Sequence, residues 1–418
     1  MAEAQPAAAA GATRLVFIDW LRVMATGLIF AYHCARPFDD FEPWHIKNDE
    51  LTAAFTYPMG IGSQFIMPVF WMVSGIGMSL ALQARPTGFL RRRLVRLLVP
   101  VVTVGWFVLC PPQVFIESTT GQQYHAPPFD GSFWDFLPHY FTGGVYGFGG
   151  WFPIAGLHLW YLSYLALFTL ASMPLFHYLT SANGRRLSSR LASAADRWWL
   201  LLVLGLPLLA TEVLLPPGVP ILSWGEGGWR LGTHWVFLIL GFMLGADGRF
   251  RDAADHWRRL WLALAVMSLI PLLFWAHTIG SLAWGTPAFA FQWAWRTMNG
   301  WLFLLAIIGY GSRYLRHGSQ RLAATSELVL PFYILHQTAI VLLAYWIRDW
   351  PLPIVAAYPL VVAAAFLACA AGCLAVRRYS ALRFLFGMSR PHPRSAAPAT
   401  RQLSLAQAQR HLGRFSHE

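Results

Sequence analysis

The chain contains about ten stretches of roughly 20 predominantly apolar residues, the length that a helix needs to cross a bilayer. They lie near residues 15–35, 57–83, 94–116, 157–178, 198–216, 229–246, 260–279, 289–310, 328–347 and 354–376. Of the 418 residues, 56% are hydrophobic and only 12% are charged, whereas soluble chains carry about 25% charged residues. The sequence therefore predicts an all-α integral membrane protein, a bundle of about ten transmembrane helices.

Arginines are concentrated in alternate loops between these stretches. They occur around 85–96, 185–197, 249–259 and 313–321 and again after residue 376, whereas the opposite loops hold only Arg36, Lys47, Arg230 and Arg348. Cytoplasmic loops of membrane proteins collect positive charge, so the pattern predicts that both termini are cytoplasmic. It also explains the net charge of +12 without a nucleic-acid partner.

The composition divides the chain into three segments. Residues 1–14 are predicted to be a cytoplasmic tail, residues 15–376 the transmembrane domain, and residues 377–418 a basic, disordered cytoplasmic tail. All four cysteines lie in apolar stretches and form no CxxC pair, which indicates buried thiols and no metal site.

The first apolar stretch carries ionisable residues that a lipid-facing helix would exclude. Asp19 and Arg22 are three residues apart and are therefore neighbours on a helix. Arg22 and His33 lie within about 20° of one helix face and roughly 16 Å apart along the axis. Such groups normally face a protein interior or a wet cavity. The alternative is an Asp19–Arg22 pair that locks helices together, with His33 an ordinary interfacial histidine.

Other stretches supply polar residues that could share such a cavity. The candidates are Glu212, His234, Arg296, Asn299 and His336. Each of them alone also fits a helix–helix hydrogen bond.

A second basic motif, FLRRRLVRLLVP, covers residues 89–100. Its arginines Arg92, Arg93 and Arg96 stand at the cytoplasmic start of the third stretch. They fit ordinary topology anchors, but guanidinium groups also bind phosphate oxygens in bidentate fashion.

These motifs recur in a fixed order along the chain. Asp19, Leu21, Arg22 and His33 open it, and VFWMVSGIGMSL follows at 69–80. The RRxxR segment ends at Pro100, HLWYLSYLAL begins at His158, and LPFYILHQTAIV at 330–341 contains Tyr333 and His336. In this order they resemble the membrane acyltransferase 3 family, and the opening is similar to its glucan biosynthesis protein C branch, which succinylates periplasmic glucans.

The resemblance implies an O-acyltransferase in the bacterial cytoplasmic (inner) membrane. Its donor would be a cytoplasmic acyl-CoA co-substrate, acetyl-CoA or succinyl-CoA, with no permanently bound cofactor and no metal. The acceptor would be a hydroxyl group of an envelope or periplasmic glycan. On this basis His158 and Tyr333 join the substrate-pocket candidates.

Three residues are expected to carry the chemistry: His33, Arg22 and Asp19. His33 would act as a general base on the acceptor hydroxyl or as a covalent acyl carrier. The rival hypothesis is a polytopic transporter or flippase of an envelope glycan or lipid precursor, because a stripe of intramembrane charge also serves translocation.

Overall fold

A computed structural model describes residues 15–122, 126–142, 155–278 and 282–388 of the chain. Of these residues, 77% are helical and almost none are in sheet. The protein is thus a multi-pass helical membrane protein, as predicted.

The first half of the bundle contains eight α-helices and two irregular segments. The helices are α1 (Val16–Ala35), α2 (Thr56–Ser63), α3 (Ile66–Ala84), α4 (Phe89–Pro100), α5 (Cys110–Thr119), α6 (Phe133–Thr142), α7 (Trp160–Thr180) and α8 (Ala182–Ala194). A π-helical segment, Val101–Leu109, joins α4 to α5, and a 3₁₀ turn, Leu157–Leu159, leads into α7. Prolines at 100, 111 and 112 withhold backbone donors along this span, which breaks its regular hydrogen bonding.

The second half adds further helices and a short hairpin. The helices are α9 (Trp198–Val203), α10 (Leu206–Leu209), α11 (Leu231–Ala246), α12 (Gly248–His256), α13 (Arg258–Thr278), α14 (Pro287–Tyr314), α15 (Gln320–Ile347), α16 (Ile354–Arg378) and α17 (Ser380–Leu385). A π-helical segment, Ala210–Leu214, follows α10, and strands β1 (Gly225–Glu226) and β2 (Trp229–Arg230) pair antiparallel. Ser319 and Thr286 cap α15 and α14 by accepting the backbone N–H groups of Leu322 and Phe289.

Seven helical segments among the described residues are long and apolar enough to span a membrane, fewer than the predicted ten. They are Val16–Ala35, Thr56–Ala84, Phe89–Thr119, Leu157–Thr180, Arg258–Trp275, Gln320–Ile347 and Ile354–Arg378. The other three predicted spans are also helical. The stretch at 198–214 is broken into short pieces, α11 is short and bends by 100° into α12, and α14 carries Gln292, Arg296 and Asn299.

Helix α16 extends slightly beyond the predicted domain boundary, and α17 follows it. Arg383 on α17 is buried and donates to Glu327 on α15 at 2.6 Å. This ion pair docks the start of the segment that was expected to be a loose tail. Residues 389–418 of that tail, like residues 1–14, lie outside the described part.

Helices α3 and α11 approach each other closely through glycines. A Cβ on Gly75 would stand 2.2 Å from the carbonyl oxygen of Leu238, and one on Gly241 would stand 2.2 Å from that of Met72. Small residues let helix backbones approach closely where lipid offers no hydrophobic driving force. This contact fixes the position of Ser74, the residue beside Gly75, against the rest of the bundle.

We therefore expect Gly241→Ala to destabilise the protein, because the added methyl group meets backbone atoms that cannot rotate away. Overpacking of this kind costs about 1–3 kcal/mol, and thermal unfolding of the purified protein in detergent measures it. Gly27→Ala on α1 is the matched control, since a Cβ there meets nothing within 4 Å. Equal unfolding temperatures for Gly241→Ala and the parent would contradict this packing.

Candidate active site

Three histidines from distant parts of the chain meet at one end of the bundle, which we call the histidine end. His33 lies in the last turn of α1, His158 in the 3₁₀ turn before α7, and His336 on α15. The ring centroid of His336 lies 5.2 Å from that of His33 and 5.6 Å from that of His158. Two of the predicted pocket residues thus lie beside the predicted base.

Backbone contacts orient two of these imidazoles. His158 Nε2 donates to the carbonyl oxygen of Ile334 at 2.9 Å, and His336 Nδ1 donates to that of Tyr333 at 2.6 Å. The hydroxyl group of Tyr333 donates to the carbonyl oxygen of His158. Since a carbonyl oxygen only accepts, these bonds assign the protonated nitrogen of each ring.

Two buried ring nitrogens of the trio have no hydrogen-bond partner within the described ranges. They are Nδ1 of His33 and Nε2 of His336, and both atoms are buried. The two nitrogens belong to neighbouring rings set nearly perpendicular, at 89°. Buried polar atoms are usually paired. These two unpaired nitrogens could therefore bind a proton or pass one on.

A fourth histidine, which the sequence analysis did not single out, completes this end. His45 Nδ1 and Glu117 Oε2 are 2.6 Å apart, and both side chains are buried. Gln337 donates through Nε2 to His45 Nε2 at 2.9 Å. The partners are 72 and 292 residues distant in sequence, so spacing could not have revealed these contacts.

The loop that carries His45 is folded back by buried charges. Arg36 Nη1 lies 3.1 Å from Asp39 Oδ2, and Lys47 Nζ lies 3.1 Å from the same oxygen. Lys47 also donates to the carbonyl oxygens of Arg36 and Asp39. These bonds hold Trp44 and His45 over the end of α1, where the ring of Trp44 lies 6.0 Å from that of His33.

The histidine end encloses a cavity of about 130 Å³. Its polar lining includes His33, His45, His158, Gln337 and Glu226, with Trp44 and Trp160 among the aromatic walls. His33 therefore faces an internal cavity and is not the surface-facing imidazole that its place near the end of a span suggested.

At the opposite end, which we call the arginine end, three guanidinium groups gather. Arg93 interacts electrostatically with Arg96 and Arg22, and Arg96 interacts with Arg22. Nε of Arg93 is buried without a hydrogen-bond partner in the described structure. Arg92 instead donates to the carbonyl oxygens of Thr87 and Arg85, so it stabilises the start of α4.

Asp19 balances only part of this charge. Its Oδ1 lies 3.8 Å from Arg22 Nη1 and accepts from Ser326 Oγ on α15 at 2.9 Å. A Cβ on Gly77 would stand 2.7 Å from Arg22 Nη2, so this glycine of α3 makes room for the guanidinium group. Among the described residues, three guanidinium groups thus gather beside this one carboxylate, an arrangement that suits an anionic ligand.

A column of polar side chains runs between the two ends. Tyr161 interacts electrostatically with Arg93, and its hydroxyl group lies 2.7 Å from Ser74 Oγ. The ring of Tyr161 lies 6.0 Å from that of Tyr333, which contacts His158 and His336. The charged stripe predicted on α1 thus continues through α3, α7 and α15.

The remaining predicted pocket residues lie elsewhere. Asn299 donates to the Ala265 carbonyl and to Ser268 Oγ, joining α14 to α13. His234 and Glu212 are fully buried and bond to the hairpin at 225–230. Arg296 lies over the rings of Trp229 and Trp293 and lines a second, larger cavity.

Comparison with known proteins assigns the chain to a family. No curated protein and no solved structure matches it. The family model of acyltransferase 3, described as an acyltransferase domain, matches residues 15–378 and so covers nearly the whole chain. This match favours an acyltransferase over the transporter considered above. The chain is a multi-pass membrane protein that belongs to the acyltransferase 3 family.

Proposed function

We propose that the protein transfers an acyl group from cytoplasmic acyl-CoA to a hydroxyl group of an envelope or periplasmic glycan, with His33 as the general base. The observation that carries the proposal is the polar column, which has a cationic excess at one end and an unbonded imidazole nitrogen in a cavity at the other. A reaction whose two substrates arrive from opposite faces needs such an arrangement.

The arginine end suits an acyl-CoA donor. Coenzyme A carries several phosphate groups, and Arg93, Arg96 and Arg22 offer guanidinium groups to them. Its narrow pantetheine arm would extend along the column, where Tyr161 and Ser74 offer hydroxyl groups to its amides. The thioester would then stand near the histidine end.

The acceptor reacts at the histidine end. His33 takes the proton of the acceptor hydroxyl as that oxygen attacks the thioester carbonyl carbon. The carbon–sulfur bond then breaks, and the sulfur of coenzyme A recovers the proton. The neighbouring His336 presents its unbonded Nε2 to the same corner. The products are an acyl ester of the glycan and free coenzyme A.

The finer assignment follows the sequence resemblance. We propose that the acyl group is acetyl or succinyl and that the protein resides in the bacterial cytoplasmic membrane with both termini inside. Similarity of the opening motif to the glucan biosynthesis protein C branch supports a succinyl group and a periplasmic glucan. The arginine end would then face the cytoplasm.

The donor site is tested by replacing Arg93 and Arg96 with Gln. Loss of charge-assisted hydrogen bonds to phosphate should weaken acyl-CoA binding by about 1.5–3 kcal/mol for each arginine. Calorimetric titration of the purified protein with acyl-CoA measures the loss. Arg91→Gln is the control, because Arg91 is an exposed neighbour on the same helix. Binding as tight as in the parent would leave Arg93 and Arg96 as topology anchors only.

The base is tested by His33→Ala in a strain that lacks the native gene. We expect the acyl group to disappear from the envelope glycans, because loss of a general base slows transfer by about 10²–10⁴-fold, and mass spectrometry of the glycans measures it. The amount of folded protein should stay near the parent level.

Two further variants complete this experiment. His139→Ala, which removes an exposed imidazole on α6, should acylate normally. Arg22→Ala should lose activity and also lower the protein level, since it removes a guanidinium group that faces the buried Asp19. Normal acylation by folded His33→Ala protein would refute His33 as the base.

A further inference from the structure

A second cavity opens beside the histidine cavity. Its volume is about 680 Å³, and it lies between α2, the ends of α13 and α14, and the hairpin at 225–230. Both cavities are lined by Tyr32, Glu42, Ser63, Glu226, Gly227 and Gly228. An acceptor whose hydroxyl group reaches His33 would therefore extend into this larger space, and the hairpin stands at the junction.

The turn of the hairpin packs closely against α3. Glu226 pairs with Trp229 across it, and its turn residues Gly227 and Gly228 have φ values of 55° and 83°. A Cβ on Gly227 would stand 2.7 Å from Cγ of Met67 on α3. Only glycine combines this left-handed backbone with this close approach.

Several buried groups hold the hairpin in place. His234 Nε2 donates to the Glu226 carbonyl oxygen at 2.9 Å, and Trp229 Nε1 donates to that of Ser63 at 2.8 Å. Glu212 Oε1 accepts from the Arg230 backbone N–H at 3.0 Å. Arg296 donates to the Gly228 carbonyl oxygen. Four anchors for so short a hairpin indicate that its orientation matters.

The hairpin places Glu226 at both cavities. No hydrogen bond or ion pair joins its carboxyl group to the part of the chain that the structure describes. Glu226 lies outside the membrane-spanning helices, and burial raises its pKa to about 8. This shift favours the protonated carboxyl group, which can donate one hydrogen bond and accept others.

We propose that Glu226 is a specificity-determining residue that binds a neutral polyhydroxyl acceptor through a hydroxyl group adjacent to the one that His33 activates. The proposal rests on the acyl transfer proposed above and narrows its acceptor to neutral sugars with neighbouring free hydroxyl groups. A protonated carboxyl group matches two hydroxyl groups, one as donor and one as acceptor, whereas an acceptor amine would need the ionised form.

The surroundings of Glu226 are consistent with a neutral ligand. Tyr164 and Tyr333 interact with it electrostatically, and His33, His45, Arg36 and Glu42 line the same cavity. The charges nearest the cavity already compensate each other, since Arg36 Nη2 lies 3.2 Å from Glu42 Oε1. Arg296 interacts electrostatically with Glu212, donates to the Gly228 carbonyl oxygen and lies over two indole rings, while its buried Nη1 has no hydrogen-bond partner among the described residues.

Steady-state kinetics test the role of Glu226. The acceptor probe is a glycan extract from the strain that lacks the protein, added in varied amounts with labelled acyl-CoA. Glu226→Ala should raise the KM for the acceptor about 10-fold, as expected for a lost buried hydrogen bond, and leave the KM for acyl-CoA unchanged. Glu226→Gln should restore a KM within about 3-fold of the parent, because an amide also donates and accepts.

Asp49→Ala is the matched control, since Asp49 is an exposed carboxylate of the loop after α1. Its kinetics should equal those of the parent. If Glu226→Ala keeps the parent KM for the acceptor, Glu226 does not bind it. If Glu226→Gln is as impaired as Glu226→Ala, the ionised carboxylate is required and a cationic acceptor replaces the neutral sugar. Either result overturns the proposal.

Chemical labelling provides a readout that needs no turnover. Dicyclohexylcarbodiimide labels protonated carboxyl groups that lie in apolar surroundings. The carboxyl O–H adds across a C=N bond of the reagent, and no group leaves. At pH 7 it should label Glu226 in peptide mass spectra, and the glycan extract, but not acyl-CoA, should protect this residue. Absence of labelling, or labelling without protection, overturns the proposal.

These outcomes separate the two proposals. If His33→Ala abolishes transfer while Glu226→Ala behaves as the parent, the proposed function stands and the role of Glu226 falls. If His33→Ala still acylates normally but the extract protects Glu226 from labelling, His33 falls as the base while Glu226 keeps its role in binding the acceptor.

Discussion

The cost of placing polar groups in hydrocarbon determines how this chain is arranged. Arg22 and His33 lie on a membrane helix, where an unpaired charge or a bare polar atom is expensive. The bundle meets this cost by enclosing them: α3 approaches α11 through Gly75 and Gly241, and Gly77 leaves room for the Arg22 guanidinium group. The polar column from Arg93 through Tyr161 and Tyr333 to His158 exists because apolar helices surround it.

The two ends of this column are built differently, in keeping with two different ligands. The arginine end relies on charge, with three guanidinium groups and one nearby carboxylate on α1. The histidine end relies on hydrogen bonds: imidazoles fixed by backbone carbonyls, a folded loop locked by Arg36, Asp39 and Lys47, and an anchored hairpin. Long-range charge suits capture of a phosphate-bearing molecule, whereas a fixed array of donors and acceptors suits recognition of a sugar.

Helical periodicity and motif order predicted much of the polar column. The eleven-residue interval from Arg22 to His33 predicted one shared face, and the ordered motifs predicted that His158, Tyr333 and His336 belong to the same site. The count of ten spans is not confirmed, because the stretch at 198–214 breaks into short helices and α14 carries polar residues through the bundle. The sequence did not indicate the contacts of His45, Glu117 and Glu226. These residues lie in a loop, at a helix end and in a hairpin, where no periodicity of the sequence signals which residues meet.

The proposed function requires that donor and acceptor reach the site from opposite faces of the membrane. Sealed proteoliposomes test it directly, with labelled acyl-CoA supplied only outside and the glycan acceptor either trapped inside or added outside. Neither substrate crosses the bilayer unaided. Labelled glycan should form only when the two are separated by the membrane. Transfer that requires both substrates on one side, and fails when they are separated, would contradict it.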